Sequence, residues 1–480
     1  MYQFKTKPYA HQMNALQESC EAEYYALFMD MGTGKSKVAI DTIGYLYSQQ
    51  KINAALIIAP KGVYDNWVKG EIPTHLWDAV PRSVVRWTPS TSKKYQEELR
   101  QLIKEPFGGM KIFVMNVEAF STARGTKAGA LFLQNNPNNI VIIDESTTIK
   151  NRKALRTKNI LQLRKFSKYR RILTGSPVTK SPMDLFSQGM FLSEKALGHK
   201  SYYSYQNRYA VVQNRQIKGR SFQEIVDYRR LPELNGKLDK FSNRVLKEEC
   251  LDLPAKVYVK REVPLTDEQS KLYAQMKKLA LAKLDNGELA TTQSVLTQLM
   301  RLQQICCGHL VDDDGNLNTI KSSRATELLN VCEEINGKAI IWCTYTHDIK
   351  DIERQLQTRF GQDAVATYYG HTHQDIRQET VDKFQDPKDP LRFFVGQPKT
   401  GGYGITLTAA KTVIYYSNSY DLEIRLQSED RAHRISQDQK VTYIDFVAPD
   451  TIDEKILKAL KEKIHLAGQV MGEDARQWLI

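Results

Sequence analysis

At 480 residues the chain is too long for one ordinary core and has room for two or three domains of roughly 150 residues each, which excludes a single small binding module. Hydrophobic residues at 41% and charged residues at 26% make a globular composition. No stretch approaches the ~20 apolar residues that span a membrane, and MYQFKTKPYAHQ at the N-terminus lacks the apolar core of a secretory signal. Six cysteines are ordinary for a reducing compartment, so a cytoplasmic protein is expected. The charge is more pointed: 68 Lys+Arg against 55 Asp+Glu leave +13. Nine basic residues and no acid lie between Asn151 and Arg171, and fourteen basic against seven acidic residues lie between Lys200 and Arg261. A polyanionic partner is expected, and the clustering favours a track over a diffuse bias.

In chain order, Ala22–Asp30 reads as a strand that leads into a glycine turn and a helix over Lys35–Tyr47. Short apolar runs at Ala54–Ala59, Ile112–Met115, Ile140–Ile143 and Arg171–Leu173 read as buried parallel strands, with a helix over Lys153–Phe166. This alternation implies right-handed βαβ units in a doubly wound sheet. From about Leu185 to Arg301 the texture changes. Helices are expected over Thr266–Leu284 and Glu288–Gln304, and the segment SYYSYQNRYA (Ser201–Ala210) is basic and tyrosine-rich. The α/β plan returns with strands at Ala339–Cys343, Val365–Tyr369, Phe393–Val395, Val413–Tyr416 and Val441–Phe446. Helices Asp348–Phe360, Gln374–Phe384 and Leu422–Arg434 fall between them, and Asp453–Lys463 follows the last strand. The expected architecture is α/β, two doubly wound lobes with parallel sheets and mostly helical insertions between them. The boundary is placed near Leu253–Pro254: a first lobe over 1–253 with an insertion from about 185, and a second over 254–480 with a helical insertion at about 265–310.

Two segments carry chemistry. In Phe28–Lys37 (FMDMGTGKSK), Gly32 and Gly34 allow backbone N–H groups to approach phosphate oxygens, Lys35 can reach the outer phosphates, and the Ser36 hydroxyl is placed for magnesium. Met31 and Thr33 complete this candidate ATP loop, although the strict phosphate-loop pattern wants glycine where Met29 stands. The run Ile140–Ile143 ends in Asp144-Glu145, at the strand end where parallel sheets bind ligands. Asp144 suits a magnesium ion held through its water shell, and Glu145 suits the base that orients and deprotonates an attacking water. The expected cofactors are ATP and Mg2+.

The order of further segments resembles the Swi/Snf-type ATPases of helicase superfamily two, over nearly the whole chain. KPYAHQ (Lys7–Gln12), LIIAPKGVYDNWVKGE (Leu56–Glu71), VMNVE (Val114–Glu118), TIKN (Thr148–Asn151), LTGSP (Leu173–Pro177) and MDLFSQGMFL (Met183–Leu192) are similar to motifs of the family's first lobe. AIIWCTYTHDI (Ala339–Ile349), YYGHTHQDIRQETVDKFQ (Tyr368–Gln385), PKTGGYGITLTAAKTVIYYSNSYD (Pro398–Asp421) and QSEDRAHRISQ (Gln427–Gln437) are similar to those of its second.

The resemblance implies two RecA-like lobes, Gln12 on the adenine, and Arg431 and Arg434 as arginine fingers that make hydrolysis depend on lobe closure. It implies nucleic-acid contacts at Lys61, Asn116, Lys150, Thr400, Gly401 and Gly402, with Asn66-Trp67 beside the groove. Thr174, Gly175, Ser176 and Gln427 would couple nucleotide state to DNA grip. The implied activity is DNA-stimulated ATP hydrolysis driving translocation on duplex DNA or remodelling of protein–DNA complexes. A monomer with possible protein partners on DNA and no membrane is expected, in the cytoplasm at a nucleoid or viral genome. A strand-separating, annealing or fork-remodelling helicase, and a noncatalytic nucleotide-switched scaffold, are the alternatives.

Ser146-Thr147 stands where the family more often has Ala-His or Ser-His, Lys180 replaces an asparagine, and Ser436 replaces a glycine. Cys306-Cys307-Gly308-His309 has no second pair at zinc spacing and reads as structural. His371 and His373 read as loop residues. Tyr202, Tyr203, Tyr205 and Tyr209 suit either base stacking or packing.

Overall fold

The computed structural model describes residues 2–61, 63–217, 220–250, 254–285, 292–312, 315–401, 405–434 and 437–472. The chain divides into two compact units, one of Met1–Arg215, Ser221–Asp252 and Ile464–Ile480, the other of Gln216–Arg220 and Leu253–Lys463.

The first unit is built on β1 (Tyr24–Met29), β2 (Ala54–Ala59), β3 (Arg82–Arg86), β4 (Met110–Asn116), β5 (Asn139–Asp144) and β6 (Tyr169–Leu173). A two-stranded sheet of β7 (Ala210–Ile217) and β8 (Arg220–Tyr228) follows, and then β9 (Ser242–Val245). The main sheet has the order β3-β4-β2-β5-β6-β1-β9, with every pairing parallel. The run AALIIA makes β2 central because all six side chains can be buried, and all six are fully buried. Alternation then divides the sheet's residues between two cores. Leu56 and Ile58 join Phe113, Phe132 and Ile143 on one face, while Ala55 and Ile57 join Ile40, Ile43 and Ile142 on the other. Because the strands are parallel, their carboxyl ends share one edge, where Asn116 ends β4 and the departing loops carry Gly32, Lys61, Glu145 and Thr174.

Strands β3 and β9 were not foreseen. Both are short edge strands with mostly half-buried side chains, RSVVR and SNRV, and so lack the continuous apolar run of a central strand. The stretch 185–301 holds the helices Leu185–Leu192, Tyr202–Tyr209, Leu231–Leu238, Asp267–Asp285 and Thr292–Cys307 together with β7 and β8. Glu288, the expected start of the last of these helices, lies outside the described residues. Tyr205 and Tyr209 are fully buried in the first unit's core, which settles them as packing residues, whereas Tyr203 is exposed.

The second unit's sheet is formed by β10 (Lys256–Glu262), β13 (Lys338–Trp342), β14 (Val365–Tyr368), β15 (Phe393–Gly396), β16 (Ala410–Tyr415) and β17 (Val441–Val447), with β11 (His309–Val311) and β12 (Leu317–Thr319) as a separate antiparallel pair. The order is β10-β17-β16-β13-β15-β14, again all parallel. The helix expected over Leu422–Arg434 ends at Glu429. The Arg431 side chain donates through Nε to the Gln427 carbonyl at 2.9 Å, and its backbone N–H turns to Ser428 instead of continuing the i−4 ladder. The final helix runs over Ile452–Met471, beyond the expected Lys463, and Leu466, Ala467 and Val470 pack on the first unit's core. Cys306 and Cys307 close a helix and are buried, and burial pushes the Cys306 thiol up to about 12. Among the described residues no helix is long and apolar enough to cross a membrane.

The basic run Asn151–Arg171 does not form one continuous track. Arg152 lies over the rings of Tyr202 and Tyr203, at 4.0 and 5.5 Å. Arg171 is fully buried and donates through Nη2 to the carbonyls of Ser19 and Ala22, closing the end of the helix Ala10–Ser19, and burial pulls its guanidinium down to about 10. Lys168 pairs with Glu23 at 3.6 Å at the amino end of β6, the opposite edge of the sheet from Asp144. Charge counting along the sequence therefore merged two separate places.

Candidate active site

Strand β1 stops at Met29, and Asp30–Gly34 turns the chain into the helix Lys35–Ser48. Gly32 and Gly34 sit at φ +81° and +86°, the left-handed region that glycine enters without strain. Met29 is a fully buried strand residue in the sheet core, so the position at which the strict pattern wants glycine lies before the turn begins. Thr33 is buried, and its hydroxyl donates to the Asp30 carbonyl at 2.7 Å; Met31 is half-buried. The Gln12 amide donates from Nε2 to the Thr33 carbonyl at 3.0 Å and accepts the Tyr9 N–H through Oε1 at 3.0 Å. The segment read as adenine-binding is thus fastened directly to the phosphate loop.

Asp144 ends β5 at 4% exposure, and each oxygen has a donor: the Glu145 backbone N–H reaches Oδ1 at 3.0 Å and the Trp67 indole N–H reaches Oδ2 at 2.9 Å. Burial pushes the Asp144 carboxyl up, opposed by the Lys35 charge and by these two donors. Glu145 follows at φ +48° and ψ 64°, uncommon for a residue with a Cβ. That turn sends its carboxylate back to the phosphate loop, where Oε1 lies 3.7 Å from Lys35 Nζ and Oε2 accepts the Thr174 hydroxyl at 3.2 Å. Ser36, half-buried, is the second residue of the loop's helix.

The coupling candidates Thr174, Gly175 and Ser176 leave β6 at the same edge. The Ser176 N–H donates to Thr174 Oγ1 at 3.2 Å. A Cβ on Gly175 would stand 3.2 Å from the Met31 nitrogen, so this loop lies directly on the phosphate loop. Ser146, where the family more often has alanine or serine before a histidine, donates to Gln188 Oε1 at 2.6 Å, and Gln188 Nε2 donates to the Pro177 and Asp184 carbonyls at 2.9 Å. The connection between the two loops thus runs through an amide.

Of the expected nucleic-acid residues, Lys61 is exposed; Asn116 donates to Glu118 Oε2 at 3.0 Å; and Lys150 donates to Thr179 Oγ1 at 2.7 Å. All three stand at the edge that carries Asp144, Asn116 as the last residue of β4 and the other two on loops. In the second unit Thr400 and Gly401 belong to the turn Pro398–Gly401, and a Cβ on Gly401 would stand 2.6 Å from the Trp342 ring. Gly402, like Ser436, lies outside the described residues. Arg431 donates to the Ile405 carbonyl at 3.0 Å, and Arg434 donates to the same carbonyl at 3.3 Å and to Thr406 Oγ1 at 2.9 Å. Gln427 is buried, donates to Glu423 Oε1 at 3.4 Å, and leaves its own Oε1 without a hydrogen bond among the described residues.

Two contributors were missed by sequence reasoning. Arg244, on edge strand β9, pairs with Asp30 at 3.0 Å and donates to the Gly175 carbonyl at 3.0 Å. The Lys247 N–H donates to Asp30 Oδ2 at 3.1 Å, and its buried side chain runs beside Gly32. Their only signal was basic charge near an unrecognised strand. Trp67, read from its motif as lying beside a nucleic-acid groove, is completely buried, with its indole on Asp144.

A glycine turn at a parallel-sheet edge, a lysine facing a glutamate, and a buried aspartate one residue before it are the features of a nucleotide-binding α/β protein. The SNF2-related domain model matches residues 16–310, and the helicase conserved C-terminal domain model matches residues 321–436. The chain belongs to the SNF2-related family. It is 26% identical to an uncharacterized ATP-dependent helicase of Mycoplasma genitalium, over 93% of this chain and 40% of that protein. It is 27% identical to the putative ATP-dependent helicase/translocase YwqA of Bacillus subtilis, over 93% of this chain and 46% of that one. The chain spans less than half the length of these curated relatives. The SWI2/SNF2 ATPase core of Sulfolobus solfataricus, solved with double-stranded DNA, aligns over 99% of this chain and 95% of its own at 22% identity and a TM-score of 0.44.

Proposed function

We propose that the chain is a magnesium-dependent ATPase, stimulated by duplex DNA, that translocates on DNA or remodels protein–DNA complexes. The observation that carries this reading is Glu145, held between Lys35 and Thr174 one residue after a buried aspartate with both oxygens bound, in a chain of the SNF2-related family.

The residues present fit a magnesium nucleotide. The two glycines at positive φ bare the backbone amides at the start of a fourteen-residue helix, and Lys35 brings a cation to the same point. Ser36 and Asp144 are the residues to hold the metal, with Gln12 beside the base. When bound, magnesium ATP supplies an activated terminal phosphoryl group for transfer to water. Glu145 then accepts the water's proton, its carboxylate oriented by Thr174 and facing Lys35 at 3.7 Å. Arg431 and Arg434 stabilise the negative charge that develops in the transition state. Thr174, Gly175 and Ser176 lie against both Glu145 and the phosphate loop, which makes them the segment that transmits nucleotide state to the DNA-facing loops. Lys61, Asn116, Lys150, Thr400, Gly401 and Gly402 are the proposed backbone contacts, so binding reads phosphate charge with little sequence preference.

ATP turnover measured with duplex DNA, single-stranded DNA and RNA at several salt concentrations tests the proposal. Duplex DNA is expected to stimulate most, with stimulation falling steeply as salt rises, and Lys35→Ala or Glu145→Gln is expected to abolish turnover. Equal stimulation by RNA, or none by duplex, overturns it.

A further inference from the structure

The segment that carries Trp67 has an unusual backbone. Between the short α-helical turns Tyr64–Asn66 and Ile72–His75, residues Trp67–Glu71 form a π-helical turn, a widened geometry that recurs at functional sites. Asn66 donates from Nδ2 to Glu71 Oε1 at 3.0 Å across the turn. A Cβ at position 70 would fall 2.7 Å from Asn66 Oδ1, so the glycine leaves room for that bond. The turn carries Trp67 inward to full burial with its indole N–H on Asp144.

Burial alone does not account for this pairing. Trp342, also fully buried, makes no hydrogen bond through Nε1 among the described residues. An indole N–H is a donor only, so it neither ligates a metal nor takes a proton. Together with the Glu145 N–H on Oδ1, it fixes the plane of the Asp144 carboxylate and leaves further lone pairs on both oxygens for a metal's water shell.

We propose that Trp67 is a positioning residue that orients the Asp144 carboxylate for the divalent cation of a bound nucleotide. The inference rests on the nucleotide reading given above. It is tested in the full chain with Trp67→Phe and with 3-benzothienylalanine at position 67, which keeps the fused-ring shape and lacks only the N–H. Two affinities are measured: that of Mn2+ for the complex with a nonhydrolysable ATP analogue, by electron paramagnetic resonance, and that of the analogue alone in chelator. In both variants Mn2+ affinity is expected to fall about tenfold while metal-free analogue affinity stays within about twofold. Should Trp67→Phe fail to fold, the benzothienyl chain decides. Mn2+ affinity within about twofold of the parent in that chain overturns the positioning role and leaves the nucleotide reading standing. A parent chain that binds neither analogue nor Mn2+ overturns both.

Discussion

The charged groups of the two units are held in different ways. In the first unit Asp144 and Glu145 come from the end of β5 and Lys35 from the start of a helix, and neighbours from two further segments, Trp67 and Thr174, set the carboxylates' orientations. In the second unit Arg431 and Arg434 share an acceptor, the Ile405 carbonyl, and Arg431 also donates to the Gln427 carbonyl while Arg434 donates to Thr406 Oγ1. Loss of one neighbour in the first unit leaves other constraints on the site. A disturbance of residues 405–406 reaches both arginines together.

The comparison can be broken at several points. The largest effect is expected from Arg431→Ala or Arg434→Ala: kcat for ATP should fall about 10³-fold with nucleotide affinity nearly unchanged. A loss of affinity without loss of kcat would assign the arginines to binding. Thr174→Val removes the hydroxyl that orients Glu145 and is expected to lower kcat about tenfold, as the loss of a hydrogen bond to a charged group would. Steady-state turnover with and without duplex DNA checks this, and the DNA-stimulated rate should suffer more than the basal one. Thr406→Val takes one of Arg434's acceptors and leaves the Ile405 carbonyl in place, so a reduction of only about threefold in kcat is expected. An effect as large as that of Arg434→Ala would mean that the hydroxyl, not the carbonyl, sets the arginine.

Much of the α/β plan was legible because central parallel strands are buried on both faces and read as unbroken apolar runs. Ala54–Ala59 is the clearest case, its limits agreeing with the observed strand. Edge strands β3, β9 and β10 have one side uncovered and carry Arg, Lys, Ser and Asn, so their sequences do not stand apart from loops. At the site, Lys35, Asp144 and Glu145 were legible because their spacing relative to a strand and a glycine turn encodes the geometry. Arg244 and Lys247 were not, because an unseen strand brings them to Asp30 from more than 200 residues away. Trp67 was visible as a motif, but where its indole points depends on a π-helical turn that residue periodicity does not announce.

The left-handed backbone at Glu145 has a consequence for how this position answers to selection. Glycine accepts φ +48° without the Cβ crowding that costs about 1 kcal/mol or more for other residues, yet it carries no carboxylate to span Lys35 and Thr174. Backbone conformation and activity therefore favour different residues at one site. Glu145→Gly relieves the strain but gives up the Thr174 hydrogen bond and the Lys35 pair and frees the unfolded chain, so it is expected to melt within a few degrees of the parent while losing turnover; thermal denaturation beside an ATPase assay reads both. A glutamate retained there is one for which the fold accepts a standing local penalty in exchange for chemistry.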